Sequence, residues 1–390
     1  MKPRRYQLRK EAVGVAQRGH PWIFREQMST AAEVFPDGQW LRLVDGANQL
    51  VGHGIYEAEG AIAIRMLRTG AEAPDAAWLR AKLTEALAKR AVLAEHSDGI
   101  RLVHGESDSI AAVVVDRFAD TIVIASYSAG CDAIARYVAR ALLADTAHGA
   151  VIGPARHVVL RPARRRRGPV EPPRVLRGSP EPIVWFSEAD IRYAVDLAEG
   201  HKTGTYLDLR GLRRALATSP LAGARVLNLF SYTGMLGRAA EAAGAASITH
   251  VDQSQRALDF AAEHHVVDRA KHAFVTADIF DWLPALAADE RYDVVIVDPP
   301  AMTSRKSQVP NVLAAYRKLY RAAESHVRPG GLLVSACCTS RVDRTVFRKT
   351  VRDSLPERFS LERDLPPEPD HPVGFAQADY LKILFWRAAS

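Results

Sequence analysis

The last two hundred residues switch repeatedly between two hydrophobic periods. Short apolar-rich runs (RVLNLF, SITHVD, HAFVTAD, YDVVIVD and GGLLVSACC) read as strands. Between them, GMLGRAAEAAGA, SQRALDFAAEHHVV, IFDWLPALAAD and VLAAYRKLYRAAESHV place apolar residues at helical spacing. Gly244 ends the first of these helices, and Ser254 is a natural N-cap for the second. Such β–α repeats predict a parallel sheet covered on both faces. Ligands of such sheets bind beyond the carboxyl ends of the strands.

The rest of the chain has a different rhythm. In residues 1–72, WLRLVDGANQLVGHGIY reads as two strands joined around Asp45, Gly46, Ala47 and Asn48, and AIAIRML as a third. This predicts a small β-rich module. Residues 73–190 open with a helical stretch, AAWLRAKLTEALAKRAVLAE, behind Pro74 and Asp75 as a start signal. AAVVVDRFADTIVIASY then reads as two strands and DAIARYVARALLADT as a helix. Residues 153–180 hold eight arginines against one acid, Glu171, with several prolines, which predicts a surface loop. Residues 191–390 form the third part.

At 390 residues the chain has room for two or three domains. Its formal charge of +7 favours an anionic partner. Three cysteines, Cys131, Cys337 and Cys338, make no disulfide framework and point to a reducing compartment. No apolar stretch follows the basic N-terminus, and no run approaches the ~20 residues that span a bilayer. The expected location is the cytoplasm. No Cys/His spacing matches a zinc site or an iron–sulfur centre, so no metal is expected.

The strand ends carry the candidate chemistry. Ser231, Tyr232, Thr233 and Gly234 follow the first strand, and a glycine turn leading into a helix lets backbone N–H groups approach a ligand. Asp252 ends the second strand, eighteen residues beyond Gly234, where an acid suits ribose hydroxyls. Asp278 follows the third strand, Asp298, Pro299 and Pro300 the fourth, and Cys337 and Cys338 the fifth. A dinucleotide site wants G-x-G-x-x-G, but Tyr232 stands at the first glycine position. S-adenosylmethionine (SAM) has no phosphate and needs a backbone turn plus acids, which this sequence offers.

GHKTGTYLDLR (200–210), VLNLFSYTG (226–234), VDQSQRALD (251–259), VIVDPP (295–300), GGLLVSACCTS (330–340) and DHPVGFAQADYLK (370–382) together resemble the PUA-containing class I rRNA methyltransferases that form 5-methylcytosine in the bacterial large subunit. GHPWIFREQM (19–28) and HGESDSIAAVVVDRF (104–118) extend the resemblance over nearly the whole chain. The resemblance implies an α/β protein in three parts: a PUA-like RNA-binding domain (1–72), a small central α/β domain with a β-hairpin and the Arg-rich loop (73–190), and a SAM-dependent methyltransferase domain (191–390). The last should hold a Rossmann-like, mostly parallel seven-stranded sheet with an antiparallel strand in its final hairpin. Members of the family are often dimers. The implied partner is 23S rRNA.

Cytosine C5 is a poor nucleophile, and a thiolate added to C6 converts the ring to an enamine that attacks the methyl donor. Cys338 aligns with the family's nucleophile, and Cys337 with a small residue. Asp298 would hydrogen-bond the base edge, with Pro299 and Pro300 beside the substrate. Ala301 replaces the family's usual Lys, and Leu209 its usual Gln. Ala301 also argues against an N6-adenine target, whose enzymes place an aromatic there.

Each residue also has a plainer reading. A cysteine pair on a strand is ordinarily core. Asp278 either caps the next helix or contacts adenine. Lys202 and Thr203 either contact the cofactor or RNA, or belong to a solvated loop; Tyr206 either contacts the cofactor or, like Asp208, is structural. Arg164, Arg165, Arg166 and Arg167 either touch phosphates or form a solvated charged loop. The rival functions are methylation of another RNA or of uracil C5, and a non-catalytic RNA-binding assembly factor.

Overall fold

The computed structural model describes residues 2–29, 35–144, 153, 155–163, 171–200, 202–303 and 305–390. They form two compact units. The first comprises Met1–Ala189, Val195–Leu207 and Pro369–Phe375; the second comprises Asp190–Ala194, Asp208–Glu368 and Ala376–Ser390.

The first unit opens with β1 (Arg4–Gln7), α1 (Lys10–Gln17), β2 (Trp22–Phe24), β3 (Trp40–Val44), β4 (Leu50–Tyr56) and β5 (Ile62–Thr69). These strands make one sheet in the order β1-β3-β4-β5-β2. The expected hairpin is present between β3 and β4. Asp45 Oδ1 accepts the N–H groups of Ala47 and Gln49 at 2.9 and 2.8 Å, and Asn48 takes φ 63°. β1, α1 and β2 go beyond the three expected strands.

Next come α2 (Ala76–Ala88), α3 (Ala91–Ala94), β6 (Gly99–His104), β7 (Val113–Phe118), β8 (Thr121–Ser126), α4 (Asp132–Ala144), β9 (His157–Arg161) and β10 (Arg174–Arg177), with a second sheet ordered β10-β9-β8-β7-β6. Asp75 caps α2 by accepting the Trp78 N–H at 2.8 Å. The single helix expected here is broken at Lys89 and Arg90, because Arg90 turns into the core. Its guanidinium meets both Asp108 oxygens at 3.0 and 2.6 Å and the Ala86 and Arg101 carbonyls.

The loop expected over residues 153–180 needs correction. β9 pairs in parallel with β8, and β10 pairs with β9 as the sheet's edge. The β-branched Val158 and Val159 and adjoining Leu160 are buried in that sheet, which outweighs the flanking prolines and charge. Arg164, Arg165, Arg166 and Arg167 lie outside the described residues.

A two-stranded hairpin, β11 (Ile183–Glu188) and β12 (Ile191–Asp196), carries the chain toward the second unit. That unit contains α5 (Arg210–Ala217), β13 (Arg225–Leu229), α6 (Met235–Ala242), β14 (Ser247–Asp252), α7 (Gln255–His264), β15 (His272–Thr276), α8 (Ile279–Ala285), β16 (Tyr292–Val297), α9 (Val309–Glu324), β17 (Val327–Cys337), α10 (Arg344–Arg352), β18 (Phe359–Leu365) and β19 (Lys382–Ala388). Its seven-stranded sheet runs β15-β14-β13-β16-β17-β19-β18. The first five strands are parallel neighbours, and β19 lies antiparallel between β17 and β18.

Alternate residues of each strand feed two cores. Leu227, Val295, Leu333 and Trp386 pack with Tyr316, Tyr320 and Phe347 on one face. Val226, Ile296, Val334 and Phe385 pack with Leu212, Leu216 and Leu236 on the other. Burial on both faces explains why these strands read as apolar runs, and parallel pairing brings five strand ends to one edge. Among the described residues no helix is long and apolar enough to cross a membrane.

Candidate active site

The turn after β13 is held in a backbone conformation it would not choose alone. Phe230 and Tyr232 take φ 57° and 46°, and Gly234 takes φ 77°. Left-handed backbone at two bulky aromatic residues costs free energy that surrounding contacts must offset. The contacts are specific. Asp252 Oδ2 accepts the Tyr232 N–H at 2.8 Å, while its Oδ1 accepts the Ser254 N–H at 2.9 Å. Ser231 donates its N–H to Val251 O at 3.1 Å and accepts the Gly234 N–H at 2.8 Å through its carbonyl.

His265 fixes the same turn from behind. Its Nε2 accepts the Ala194 N–H at 2.8 Å, so Nδ1 carries the proton and donates to Thr233 O at 2.5 Å. Burial lowers its pKa from 6.5 to about 4, although the Thr233 carbonyl opposes the shift. The ring is therefore neutral at pH 7. His250 lies under the first turn of α6, where a Cβ on Gly237 would stand 2.2 Å from its Cε1. Only glycine lets that helix start so close to the imidazole. His250 stacks on Phe274 at 4.8 Å, and burial lowers its pKa to about 3. Sequence reasoning missed both imidazoles. Nothing at the level of spacing couples His265 to Thr233, thirty-two residues away.

Ser231 Oγ is buried and has no hydrogen-bond partner among the described residues. An orphaned hydroxyl beside a strained turn, with a carboxylate at the next strand end, fits a ligand carrying amino-acid and ribose groups. Asp278 is exposed and caps α8, accepting the Phe280 N–H at 2.9 Å, so its plainer reading is realised.

Farther along the edge, Asp298 lies just beyond β16, half-buried, followed by buried Pro299 and exposed Pro300. The two cysteines part company at the end of β17. Cys337, its last residue, is fully buried in the core beside Tyr316 and Phe347. Cys338 lies past the strand, half-buried, with Sγ 3.6 Å from the Pro299 carbonyl oxygen. The loop is anchored by its neighbour. Buried Lys382 donates from Nζ to the carbonyls of Thr339 and Tyr380 at 3.2 and 3.1 Å, and burial lowers its pKa. Thr339 Oγ1 also lies 3.4 Å from the Tyr316 hydroxyl. Lys382 closes the YLK motif, and that motif is the only sequence signal it gave.

The second unit thus gathers Ser231, Tyr232, Thr233, Gly234, Asp252, Asp278, Asp298, Pro299, Pro300 and Cys338 along one sheet edge. Lys202, Thr203 and Tyr206 belong to the first unit. There the exposed Lys202 ammonium lies 4.6 Å from the Tyr206 ring centre. Thr203 is buried and donates to Asp116 Oδ2 at 2.5 Å, where Arg101 meets both carboxylate oxygens at 2.8 Å. Arg161 donates to the Gly200 and Lys202 carbonyls at 2.9 and 2.8 Å. The loop is held by buried polar contacts, so the solvated reading fails for Thr203.

A family model for S-adenosylmethionine-dependent methyltransferases matches residues 119–387. The chain belongs to that family. The methyltransferase also matches a PUA-like domain over residues 7–69. Its relatives include the ribosomal RNA large subunit methyltransferase of Deinococcus radiodurans, 32% identical over 383 residues that cover 94% of this chain and 93% of the relative. The ribosomal RNA large subunit methyltransferase I of Aliivibrio fischeri is 32% identical over 384 residues, 94% of each chain. Among solved structures, a SAM-dependent methyltransferase from Streptococcus mutans covers 99% of this chain and 100% of its own, with TM-score 0.83 at 22% identity. The cofactor of the methyltransferase is SAM.

Proposed function

We propose that the methyltransferase forms 5-methylcytosine in large-subunit ribosomal RNA through a covalent adduct of Cys338. Its full-length relatives carry rRNA methyltransferase names, which supports the RNA class. One observation carries the chemistry: of two adjacent thiols, Cys338 stands at the ligand-binding edge against the Asp298-Pro299-Pro300 loop, and Cys337 is sealed in the core.

In this reading bound SAM supplies an electrophilic methyl group. The Cys338 thiolate forms a bond to C6 of a cytosine splayed out of its stack. The C5–C6 π electrons shift toward C5, and Asp298 hydrogen-bonds the base edge by accepting from the exocyclic 4-amino group. C5 would then take the methyl group that SAM supplies, with the carbon–sulfur bond to the donor broken and S-adenosylhomocysteine as the leaving group. Loss of the C5 proton returns an electron pair to the ring, re-forms the C5–C6 double bond and expels the thiolate. Asp252 binds the ribose, and the turn binds the methionine part. Residues 1–72 and the basic loop within residues 73–190 capture RNA, and residues 191–390 perform transfer, in the cytoplasm.

The direct test is nucleoside analysis of 23S rRNA incubated with purified protein and SAM. The expected product is 5-methylcytidine at a single position. A product of 5-methyluridine, or of an N-methylated base, overturns the reading.

A further inference from the structure

We propose that the outer face of α9 and α10 is a second RNA-binding surface, one that grips the phosphodiester backbone within the methyltransferase unit itself. The inference rests on the RNA substrate proposed above. Helix α9 carries Arg317, Lys318 and Arg321 against one acid, Glu324, which is tied to Arg358 at 3.1 Å. Helix α10 carries Arg344, Arg348, Lys349 and Arg352 and no acid.

The two helices lie side by side. The Phe347 ring of α10 meets Tyr316 and Tyr320 of α9 edge-on, with centres 5.4 and 6.1 Å apart. Their inner faces are buried through Val312, Tyr316, Tyr320, Phe347 and Val351. Helical periodicity then turns the remaining positions outward.

Three of the cations have structural work. Arg344 binds Asp364 and Asp379, Arg352 caps the carbonyls of Leu355, Pro356 and Phe359, and Lys349 pairs with Asp353. The other four do not. Lys318, Arg321 and Arg348 are exposed and Arg317 is half-buried, and none has an acid partner among the described residues. Like charges three and four residues apart on one helix repel, as Lys318 and Arg317 do with Arg321. A bound polyanion removes that repulsion.

Other helices of the unit lack this imbalance. In α6, Arg238 faces Glu241 at 3.7 Å. In α7, Arg256 stands against Asp259 and Glu263. In α5, Arg210 and Arg213 are buried and Arg214 pairs with Glu368 at 2.9 Å.

Position supplies the second argument. Helix α9 follows the Asp298-Pro299-Pro300 loop and α10 follows the Cys338 loop, so both begin at the candidate catalytic edge. The sixteen residues of α9 extend about 24 Å at 1.5 Å per residue. A strand whose flipped base enters at that edge would carry its flanking phosphates along this face. The excess of positive charge, with Glu324 and Asp353 already paired to Arg358 and Lys349, suits phosphate contact and carries no base readout.

The test uses the full chain with Arg317, Lys318, Arg321 and Arg348 all replaced by Gln, and a transcribed 23S rRNA fragment titrated across a KCl series. Each lost phosphate contact removes roughly 0.7–0.9 from the slope of log affinity against log salt, so the slope should fall by about 3. Affinity at low salt should drop at least ~10-fold, because counterion release is the force removed. SAM affinity and melting temperature should match the unaltered chain. If the fourfold variant fails to fold, Arg348→Gln alone should lower the slope by about 1. An unchanged slope and affinity, while the unaltered chain binds RNA steeply, overturns the surface and leaves the rRNA reading standing. An unaltered chain that holds no rRNA at any salt overturns both.

Discussion

The two halves of the sheet edge solve opposite problems. On the half proposed to hold the cofactor the recognition element is backbone, and it is pinned at three points: Tyr232 by Asp252, Thr233 by His265, Gly237 against His250. On the half proposed to receive the base it is one side chain, Cys338, on a loop whose neighbour Thr339 is fastened by Lys382. A small methyl donor bound afresh in every cycle favours a fixed, strained cradle whose ordering cost is met during folding. A polymeric substrate must deliver one base and withdraw it, which favours a half-exposed nucleophile beside a proline-stiffened wall. The adjacent cysteines state the contrast within a single peptide bond.

The sharpest way to break the comparison is to exchange the fates of those two thiols. Cys338→Ala should lower turnover at least ~10³-fold, because the covalent route disappears while the cradle stays intact. SAM affinity by calorimetry should remain within about twofold, since no cradle contact is touched. Cys337→Ala should do the reverse, costing about 1 kcal/mol of stability for lost core contacts while turnover persists. A Cys337 variant that folds but is dead, beside an active Cys338 variant, would invert the assignment.

Acid should weaken the cofactor half first. His265 takes a proton near 6.5 in an unfolded chain but only near about 4 when folded. Its folded pKa is depressed, so its full contribution is present above 6.5 and is lost as pH falls toward 4. Linkage puts the loss at about 2 kcal/mol between pH 7 and pH 5. His250, lowered to about 3, adds to the slope in the same window. Stability measured in denaturant at each pH should show this fall, and His265→Gln should flatten part of it. A pH profile that His265→Gln leaves untouched would remove the imidazole from the account.

What the sequence revealed divides along the same line. The β–α alternation, the caps at Asp75 and Ser254 and the hairpin at Asp45 to Asn48 depend on residues within about five positions of each other, and pattern reads such local physics directly. The strand-end residues were legible because parallel topology itself dictates where strands end. His265, Lys382 and Arg90 were not, because each acts through a partner brought close only by folding. β9 was hidden for another reason: its apolar residues, buried by pairing with β8, sit inside a run whose charge and prolines dominate any window average. The last two strands and the antiparallel direction of one came from family resemblance, since the β–α pattern read along the chain stopped at the fifth strand.

The smallest effect tests whether the cradle is truly one unit. Asp252 accepts Tyr232 N–H and Ser254 N–H, so its carboxylate orders the turn even before any ribose arrives. Asp252→Asn keeps one acceptor oxygen for the turn but loses the charge and half the accepting capacity. Asp252→Ala loses both. Hydrogen bonds to a charged group contribute about 1.5–3 kcal/mol, so the Ala variant should bind SAM at least about tenfold more weakly. The Asn variant should fall between, and neither should change RNA affinity. Equal losses in the two variants would mean the charge alone matters, which makes Asp252 a ribose acceptor without a scaffolding role. An unchanged SAM affinity in both would detach this strand end from the cofactor, and the contrast between the halves would then rest on His265 and Gly237 alone.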